Sequence, residues 1–177
     1  LKAVKEKYDL PENFILYLGT MQPRKNLPLL VEAYGKIQAR VPGLKLILAG
    51  GKNTYNFDRD IGKAIHRLSL SEDVIFTGYV PEEEKNAFFR LARVFCSPSL
   101  YEGFGIPVLE AMSAGTPVIA SEIPAHREIA GDSALFFNYS DATDLAEKIY
   151  RICTDDELRL NLINSGKEQA KNFSWKN

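Results

Sequence analysis

The chain has 177 residues, of which 45% are hydrophobic and 25% are charged, and such values are typical of a single globular domain. Its net charge of −1 argues against a nucleic-acid partner, because a protein that binds nucleic acid carries a broad excess of lysine and arginine. Cys96 and Cys153 form no metal-binding pattern. No apolar run approaches the ~18 residues that cross a membrane, so we expect a cytoplasmic protein.

Short apolar runs alternate with helical patterns along the chain. In chain order, the first half is predicted to contain a strand at 14–18, a helix at 27–37, a strand at 44–49, a helix at 61–68 and a strand at 74–76. The second half is predicted to contain a helix opened by Pro81, a strand at 94–96, a helix from 106 to 114, strands at 117–120 and 134–137, and helices at 142–153 and 157–171. Asn26 is the predicted N-cap of the first helix.

This alternation predicts an α/β fold, a doubly wound parallel sheet with helices on both faces. In such sheets, ligands bind beyond the carboxyl ends of the strands, where loops and helix N-termini converge. The loops of interest therefore follow Leu18, Ala49, Phe76, Cys96 and Ala120. Glycines and unusual polar residues gather in these loops, so we expect the functional site at this edge of the sheet.

The densest motif reads SLYEGFGIPVLEAMSAGTPVIAS and begins at Ser99. Gly103 and Gly105 remove side chains from a turn, so a ligand can approach the backbone closely. The helix that follows directs free N–H groups at the ligand, and such a terminus binds phosphate or sugar oxygens. Glu102 and Glu110 bracket the turn, and their carboxylates can accept hydrogen bonds from ribose or sugar hydroxyls. The residues alone leave two alternatives open: Glu102 is a solvated loop charge, and Glu110 is an exposed helix residue.

A second candidate site follows the first strand, in the sequence GTMQPRKN that begins at Gly19. Arg24 and Lys25 are adjacent cations at the start of a helix, where a cation opposes the helix dipole. A nearby anion would explain them. Fixed cations can stabilise the negative charge that builds on a departing diphosphate, with arginine as a bidentate partner and lysine as a point charge. A solvated pair of loop cations is the alternative.

These segments resemble the retaining GT-B glycosyltransferases of family 4. Glu102 and Glu110, with seven residues between them and Gly-Phe-Gly inside, resemble the E-x7-E signature of that family, and residues 111–118 are similar to its continuation. Gly19, with the arginine and lysine that follow it, resembles the family's donor loop. The resemblance covers nearly the whole chain and implies the C-terminal, Rossmann-like domain of a GT-B enzyme.

The resemblance implies roles for the two charged motifs. Arg24 and Lys25 would stabilise the leaving diphosphate, Glu102 would contact the donor sugar, and Glu110 would bind the ribose hydroxyls. Arg24, Lys25 and Glu102 are therefore the candidate catalytic residues, and Gly19 belongs to the same donor loop.

The resemblance also implies donor binding by backbone groups. Amides around Gly103, Phe104 and Gly105 would hold sugar and phosphate oxygens. The segment Gly78-Tyr79-Val80 resembles the one whose backbone reads the nucleobase in the family. These residues complete the predicted donor site.

By resemblance, the parent protein transfers a sugar from a nucleoside-diphosphate donor to a hydroxyl of a glycan or lipid acceptor, with retention and without a metal or cofactor. The Pro-Arg-Lys-Asn segment resembles mannosyltransferases, whereas GDP, UDP and ADP donors all stay open. We expect residues 1–177 to be a single C-terminal domain that lacks its N-terminal acceptor domain. The parent could associate peripherally with a membrane. Since domain closure aligns the reactants, this fragment should bind donor weakly and show negligible transfer.

Other motifs are interpreted as structural. Asp58-Arg59-Asp60 has the DxD pattern that holds a metal in other glycosyltransferases, but the rest of the chain resembles a metal-independent class. His126 follows the fifth strand, and the family has no essential histidine at the matched position. Gly50 and Gly51 are interpreted as a strand end rather than an anion-binding nest.

Two other functions stay open on the same architecture. One is another enzyme class, either a sugar-nucleotide epimerase or a glycan phosphorylase, although no lysine is assignable to the pyridoxal phosphate of a phosphorylase. The other is a nucleotide-sugar-binding module without catalysis. Inversion of a free nucleotide sugar at C2, without an acceptor, would support the epimerase.

Overall fold

The computed structural model describes residues 1–53 and 55–173, and within them six strands form one parallel sheet in the order 3-2-1-4-5-6. The strands are β1 (Phe14–Leu18), β2 (Lys45–Ala49), β3 (Val74–Gly78), β4 (Val94–Ser97), β5 (Val118–Ser121) and β6 (Leu135–Phe137). The helices are α1 (Lys2–Lys7), α2 (Leu27–Ile37), α3 (Asp60–Arg67), α4 (Glu82–Leu91), α5 (Ile106–Ser113), α6 (Pro124–Ala130), α7 (Ala142–Thr154) and α8 (Asp156–Ala170). The predicted doubly wound fold is confirmed.

The sheet separates two layers of apolar core, because successive side chains of a strand point to opposite faces. On β1, Ile15 and Tyr17 face one layer, whereas Phe14, Leu16 and Leu18 face the other. Side chains of α2, α3 and α7 fill the first layer, and those of α4, α5 and α6 fill the second. All five side chains of β1 are buried, as expected for a central strand covered on both faces.

The helix α1 was not among the predicted elements. Its sequence lacks the apolar stripe from which an amphipathic helix is predicted. Accordingly, none of its residues is buried in the fold. It is held through the residue that follows it, because the ring of Tyr8 packs edge-on against Phe88 of α4 with centroids 4.9 Å apart. Lys7 and Tyr8 also both donate to Glu84. This helix is therefore recruited by tertiary contacts.

Asn26 is the N-cap residue of α2, as predicted, but its side chain does not supply the capping hydrogen bond. Its backbone is left-handed, with φ 61°. The side-chain amide instead donates to the carbonyl oxygens of Pro98, at 3.0 Å, and Tyr139, at 2.9 Å. Asn26 thus ties together the loops that follow β1, β4 and β6.

The strand order reverses between β1 and β4, which lie side by side at the centre of the sheet. A doubly wound sheet opens a crevice at such a point, beyond the carboxyl ends of the two strands. The loop after β1 continues into a 3-10 turn, Pro23–Lys25, and the loop after β4 carries Glu102. The N–H of Leu100 donates to the carbonyl of Arg24 at 2.8 Å. The two loops with predicted catalytic residues are therefore in direct contact.

Candidate functional site

The three predicted catalytic side chains form one ion-paired cluster. One carboxylate oxygen of Glu102, Oε1, accepts from Lys25 Nζ at 2.5 Å and from Ser99 Oγ at 2.8 Å. The other, Oε2, accepts from Arg24 Nη1 at 3.3 Å. The side chains of Lys25 and Glu102 are only 11% and 13% exposed, and that of Arg24 is 30% exposed. The cations are therefore not the solvated loop pair that the sequence left open.

Two positive charges and one negative charge leave this cluster with a net charge of about +1. Burial by itself raises the pKa of Glu102, but the hydrogen bonds from Lys25 and Ser99, with the charges of Lys25 and Arg24, outweigh it and bring the pKa below its ordinary value. Glu102 is thus held as a carboxylate. The anion that the sequence required beside the two cations is supplied by the protein itself, and a positive excess remains for a ligand.

The loop after β4 leads directly into the N-terminus of α5. Gly105 immediately precedes the helix with φ 93°, a left-handed conformation that a residue with a Cβ adopts only with strain. Pro107 occupies the first turn, where a missing N–H costs nothing. The N–H groups of Val108 and Leu109 donate to the Gly105 carbonyl, so the N–H of Ile106 is the first-turn amide that can receive an oxyanion beside the Glu102 loop.

Glu110 lines a cavity of about 320 Å³ between α4 and α5, together with Glu82 and Lys85. The residue is partly buried, so it is not the exposed helix glutamate that the sequence left open. Burial is the main cause of a raised pKa at Glu110; the charge of Glu82 adds to it and the charge of Lys85 opposes it. A carboxylate in this setting gains from hydroxyl donors, because they replace the hydration that burial removes.

A second cavity, of about 460 Å³, lies at the ends of β1 and β2. Its wall is mainly apolar or backbone, and its lining residues are Leu18, Gly19, Thr20, Ala49, Gly50, Gly51, Asn53, Tyr79, Val80 and Lys85. It includes three residues of the predicted donor site, one from the β1 loop and two from the segment predicted to read the nucleobase. A flat, largely apolar ring with a few polar atoms fits such a wall.

Seven predicted donor residues are not in these walls, and four of them, Arg24, Lys25, Glu102 and Gly105, belong to the ion-paired cluster and the helix start described above. Gly78 instead uses its carbonyl to accept from the N–H of Gly50 at 3.0 Å. Gly103 lies in the loop before α5, and the ring of Phe104 packs edge-on against Phe173 with centroids 6.3 Å apart.

Lys85 lines both cavities, and the sequence analysis missed it. It follows three glutamates on α4 and pairs with Glu82 at 2.5 Å, so in the sequence it has the pattern of an ordinary charged helix face. Its position between the cavities depends on how α4 is rotated against α5. That rotation is set by tertiary packing of the apolar side chains of α4, including Phe88 and Phe89.

His126 lies in α6 and is fully buried, so the imidazole faces neither cavity. Burial is the main cause of a lowered pKa; the bond to the Ser121 carbonyl and the charge of Glu102 raise it, and the charge of Lys25 lowers it further. The folded protein therefore favours the neutral ring. The position accords with the interpretation of His126 as a structural residue.

This lowered pKa gives a pH prediction. The unfolded chain takes up a proton on His126 near pH ~6.5, whereas the folded chain takes it up only at lower pH. The stability that the neutral ring contributes is thus fully present above about pH 6.5 and declines as the pH falls toward the lowered folded-state pKa. Between about pH 7.5 and about pH 5.5, the melting temperature of the wild type should fall more than that of His126→Asn. Equal falls would contradict the assignment.

The carboxylates of the DxD pattern have structural partners. Asp58 is buried, and its Oδ1 accepts from the N–H of Asp60 at 3.0 Å, at the start of α3. Asp60 pairs with Lys63 at 3.1 Å, one turn along the same helix. Both contacts are those of a helix start, which supports the structural interpretation of the pattern.

The comparisons with known proteins agree with this arrangement. Residues 2–169 match the model of the family described as glycosyl transferases group 1. The chain is similar to the O-antigen chain mannosyltransferase B of Escherichia coli, with 37% identity over 179 residues, covering 98% of this chain and 46% of the relative. Its fold is similar to that of sucrose-phosphate synthase from Thermosynechococcus elongatus, with a TM-score of 0.87 and 30% identity, covering 99% of this chain and 45% of that one.

A third similarity extends over a whole structure. The C-terminal domain of a glycosyl transferase group 1 family protein, LpcC, from Francisella tularensis has a TM-score of 0.84 and 21% identity, covering 98% of this chain and 93% of that one. The chain spans less than half the length of the mannosyltransferase and of the synthase. Within the residues that the structure describes, no helix is both long and apolar enough to span a bilayer.

The predicted family is confirmed, as is the Rossmann-like half of the GT-B fold. The family match includes both charged loops at the reversal of the strand order, the one after β1 and the one after β4. Similarity over 98% of the chain leaves no large segment outside the match. This chain belongs to the glycosyl transferases group 1 family.

Proposed function

We propose that this chain binds a nucleoside-diphosphate sugar and serves as the donor half of a retaining glycosyltransferase. The single observation that carries the proposal is the cluster of Arg24, Lys25 and Glu102 at the point where the strand order reverses. Two fixed cations and a carboxylate, next to a helix N-terminus, are suited to a ligand that joins an anion to a polyhydroxylated ring.

The proposed pose follows from the chemistry of each wall. The diphosphate lies against Lys25, Arg24 and the first turn of α5, and the donor sugar lies against Glu102 and the Gly103–Gly105 backbone. The ribose hydroxyls donate to Glu110, and the base enters the apolar cavity bordered by Tyr79 and Val80. This arrangement uses every residue of the predicted donor site except Gly78, whose carbonyl is engaged by Gly50.

In the proposed reaction, the bond between the anomeric carbon and the phosphate oxygen breaks, and the diphosphate leaves with the electron pair. Arg24 and Lys25 stabilise the negative charge that builds on that oxygen. The acceptor oxygen bonds to the anomeric carbon on the face from which the diphosphate leaves, and its proton passes to the departing phosphate oxygen, so the configuration is retained. The binding site for the acceptor, a glycan or lipid, and the remaining catalytic groups belong to an N-terminal domain of the longer protein. The isolated chain is therefore a donor binder with negligible transfer.

Mannose is the proposed sugar, because the relative described above is named as a mannosyltransferase and is 37% identical to this chain. Titration calorimetry with GDP, UDP and ADP, followed by the matching nucleotide sugars, tests both the donor class and the sugar. We expect one nucleoside diphosphate to bind and its mannose-bearing form to bind at least as tightly. Absence of binding by all three nucleotides to the folded chain would overturn the proposal.

A charge-neutral variant separates the diphosphate contacts from the sugar contacts. Glu102→Gln removes the negative charge beside the two cations, so it should bind free nucleoside diphosphate at least as tightly as the wild type does. It should also lose the additional affinity that the sugar gives to the donor, because an amide accepts hydroxyl bonds less strongly than a carboxylate.

The ratio of the dissociation constants for nucleoside diphosphate and nucleotide sugar measures this loss. Glu122→Gln is the matched control, since it neutralises another ion-paired glutamate, paired with Arg127 at 2.5 Å and half exposed. The control should keep the wild-type ratio. An unchanged ratio in Glu102→Gln would remove Glu102 from the sugar site.

A further inference from the structure

We infer that His126 is a positioning residue of the donor site: its buried imidazole joins the carboxyl ends of β4 and β5 and supports the loop that carries Glu102. The inference rests on the proposed function, because it assigns to His126 the task of holding that site in shape. His126 does not contact the proposed ligand.

The imidazole bonds to both strand ends. Its Nδ1 lies 2.9 Å from the carbonyl oxygen of Ser121, the last residue of β5, and 3.2 Å from the hydroxyl of the same serine. Its Nε2 lies 3.1 Å from the hydroxyl of Ser97, the last residue of β4. Ser97 and Ser121 are themselves buried. The ring therefore cross-links two neighbouring strands at the point where both enter functional loops.

The same contacts extend to Glu102. The Ser121 hydroxyl donates to the carbonyl of Ser99 at 2.5 Å, and the Ser99 hydroxyl donates to Glu102 Oε1 at 2.8 Å. Ser99 is fully buried, so water cannot replace these partners without opening the loop. His126 is thus linked, through the Ser121 hydroxyl and then through the backbone and side chain of Ser99, to the carboxylate that pairs with Lys25.

The ring also supports the start of α5 by packing. A Cβ built on Gly105 would lie 3.7 Å from Cδ2 of His126 and 3.8 Å from Cγ1 of Ile129. The edge of the imidazole therefore lies directly beneath the left-handed residue that precedes α5. A shift of the ring would move both the helix N-terminus and the Glu102 loop.

One neutral form of the ring satisfies all of these groups. With a proton on Nδ1, the ring donates to the Ser121 carbonyl and accepts from the Ser97 hydroxyl at Nε2, while the Ser121 proton goes to Ser99. A charged ring would also donate from Nε2, and the Ser97 proton would then lose its acceptor. An apolar side chain of similar size would leave the buried Ser97 hydroxyl and Ser121 carbonyl without this partner, which is costly.

Three variants test the inference. His126→Leu removes both polar contacts, whereas His126→Asn keeps an N–H donor near the position of Nδ1. Thr116→Val is the matched control, because it removes a buried hydrogen bond, from the Thr116 hydroxyl to the carbonyl of Phe89 at 2.6 Å, next to the opposite end of β5. Affinities for GDP, UDP and ADP are measured by calorimetry, and amide hydrogen exchange of residues 99–106 is measured in the free protein.

We expect His126→Leu to bind the nucleotide about tenfold more weakly and to exchange faster over residues 99–106, by analogy with other outer-shell residues. His126→Asn should recover part of both effects. Thr116→Val should lose stability yet keep wild-type affinity and wild-type exchange in this loop. If His126→Leu does not fold, Ser97→Ala removes the Nε2 partner alone and should change both measurements in the same direction.

Wild-type affinity and exchange in a folded His126→Leu would overturn the inference. An equal loss in Thr116→Val would also overturn it, because affinity would then follow stability alone. If the wild type bound none of GDP, UDP and ADP while His126→Leu still exchanged faster over residues 99–106, the role in positioning the loop would stand and the proposed donor would be wrong.

Discussion

Replacing Lys25 by alanine is expected to lower the affinity for nucleoside diphosphate by about 100-fold, the largest loss for any single side chain of the site. The Lys25 side chain is 11% exposed, and its ammonium nitrogen lies 2.5 Å from Glu102 Oε1. Its removal takes away a cation that faces the phosphates and also leaves the Glu102 carboxylate less neutralised beside them. Both changes disfavour an anionic ligand. Arg24→Ala should lose less, about tenfold, because Arg24 is more exposed and 3.3 Å from the carboxylate.

Titration calorimetry of the folded variants measures both losses. Lys45→Ala is the matched control, since Lys45 forms a similar ion pair with Asp73, at 2.5 Å, at the opposite end of the sheet. The control changes the net charge by the same amount and should keep wild-type affinity. A loss of equal size in Lys45→Ala would show that net charge, and not the cluster, governs binding. Wild-type affinity in Lys25→Ala would remove Lys25 from the site.

Replacing Gly50 by alanine is expected to destabilise the fold by about 3 kcal/mol. A Cβ on Gly50 would lie 2.1 Å from the carbonyl oxygen of Gly19, and the residue has φ 150°. The contact is with backbone, so no side-chain rotation can relieve it. Either β2 or the loop after β1 must move, and that loop leads to Arg24 and Lys25. Affinity for the diphosphate should therefore fall together with stability.

Thermal unfolding measures the effect, with an expected decrease in melting temperature of about 6 to 12 °C. Gly62→Ala is the control, because Gly62 lies within α3 and a Cβ there has no neighbour within 4 Å. Alanine favours a helix interior over glycine by about 0.5 to 1 kcal/mol, so this variant should be slightly more stable than the wild type. A Gly50→Ala protein as stable as Gly62→Ala would contradict the close approach of the two loops.

The sequence was sufficient to predict the architecture, since each strand is a short apolar run and most helices carry an apolar stripe. The boundaries of β1 and the start of α5 agree with the prediction because glycine and proline mark them: Gly19 follows β1, and Gly105 and Pro107 flank the start of α5. The exception, α1, has no buried side chain. Its position depends on contacts with α4, which periodicity within a short segment does not encode.

The site was predictable where a motif is local, and less so where distant segments meet. The sequence indicated that an anion lies near Arg24 and Lys25, but Lys25 and Glu102 are 77 positions apart, and the ion pair between them follows from the strand order. Lys85 was missed as a contributor to the site, and His126 was interpreted only as a structural residue, for a related reason. Their side chains reach their positions near the site only when α4 and α6 pack on the sheet. The sequence around each residue is that of an ordinary helix.

The proposed function depends on a diphosphate binding between the 3-10 turn Pro23–Lys25 and the N-terminus of α5. A crystal structure of this chain with the tightest-binding nucleoside diphosphate tests it most directly. We expect phosphate oxygens within about 3 Å of Lys25 Nζ and of the Arg24 guanidinium, with the ribose at Glu110. A nucleotide bound on another surface, with Lys25 and Arg24 still paired only with Glu102, would contradict the proposed function.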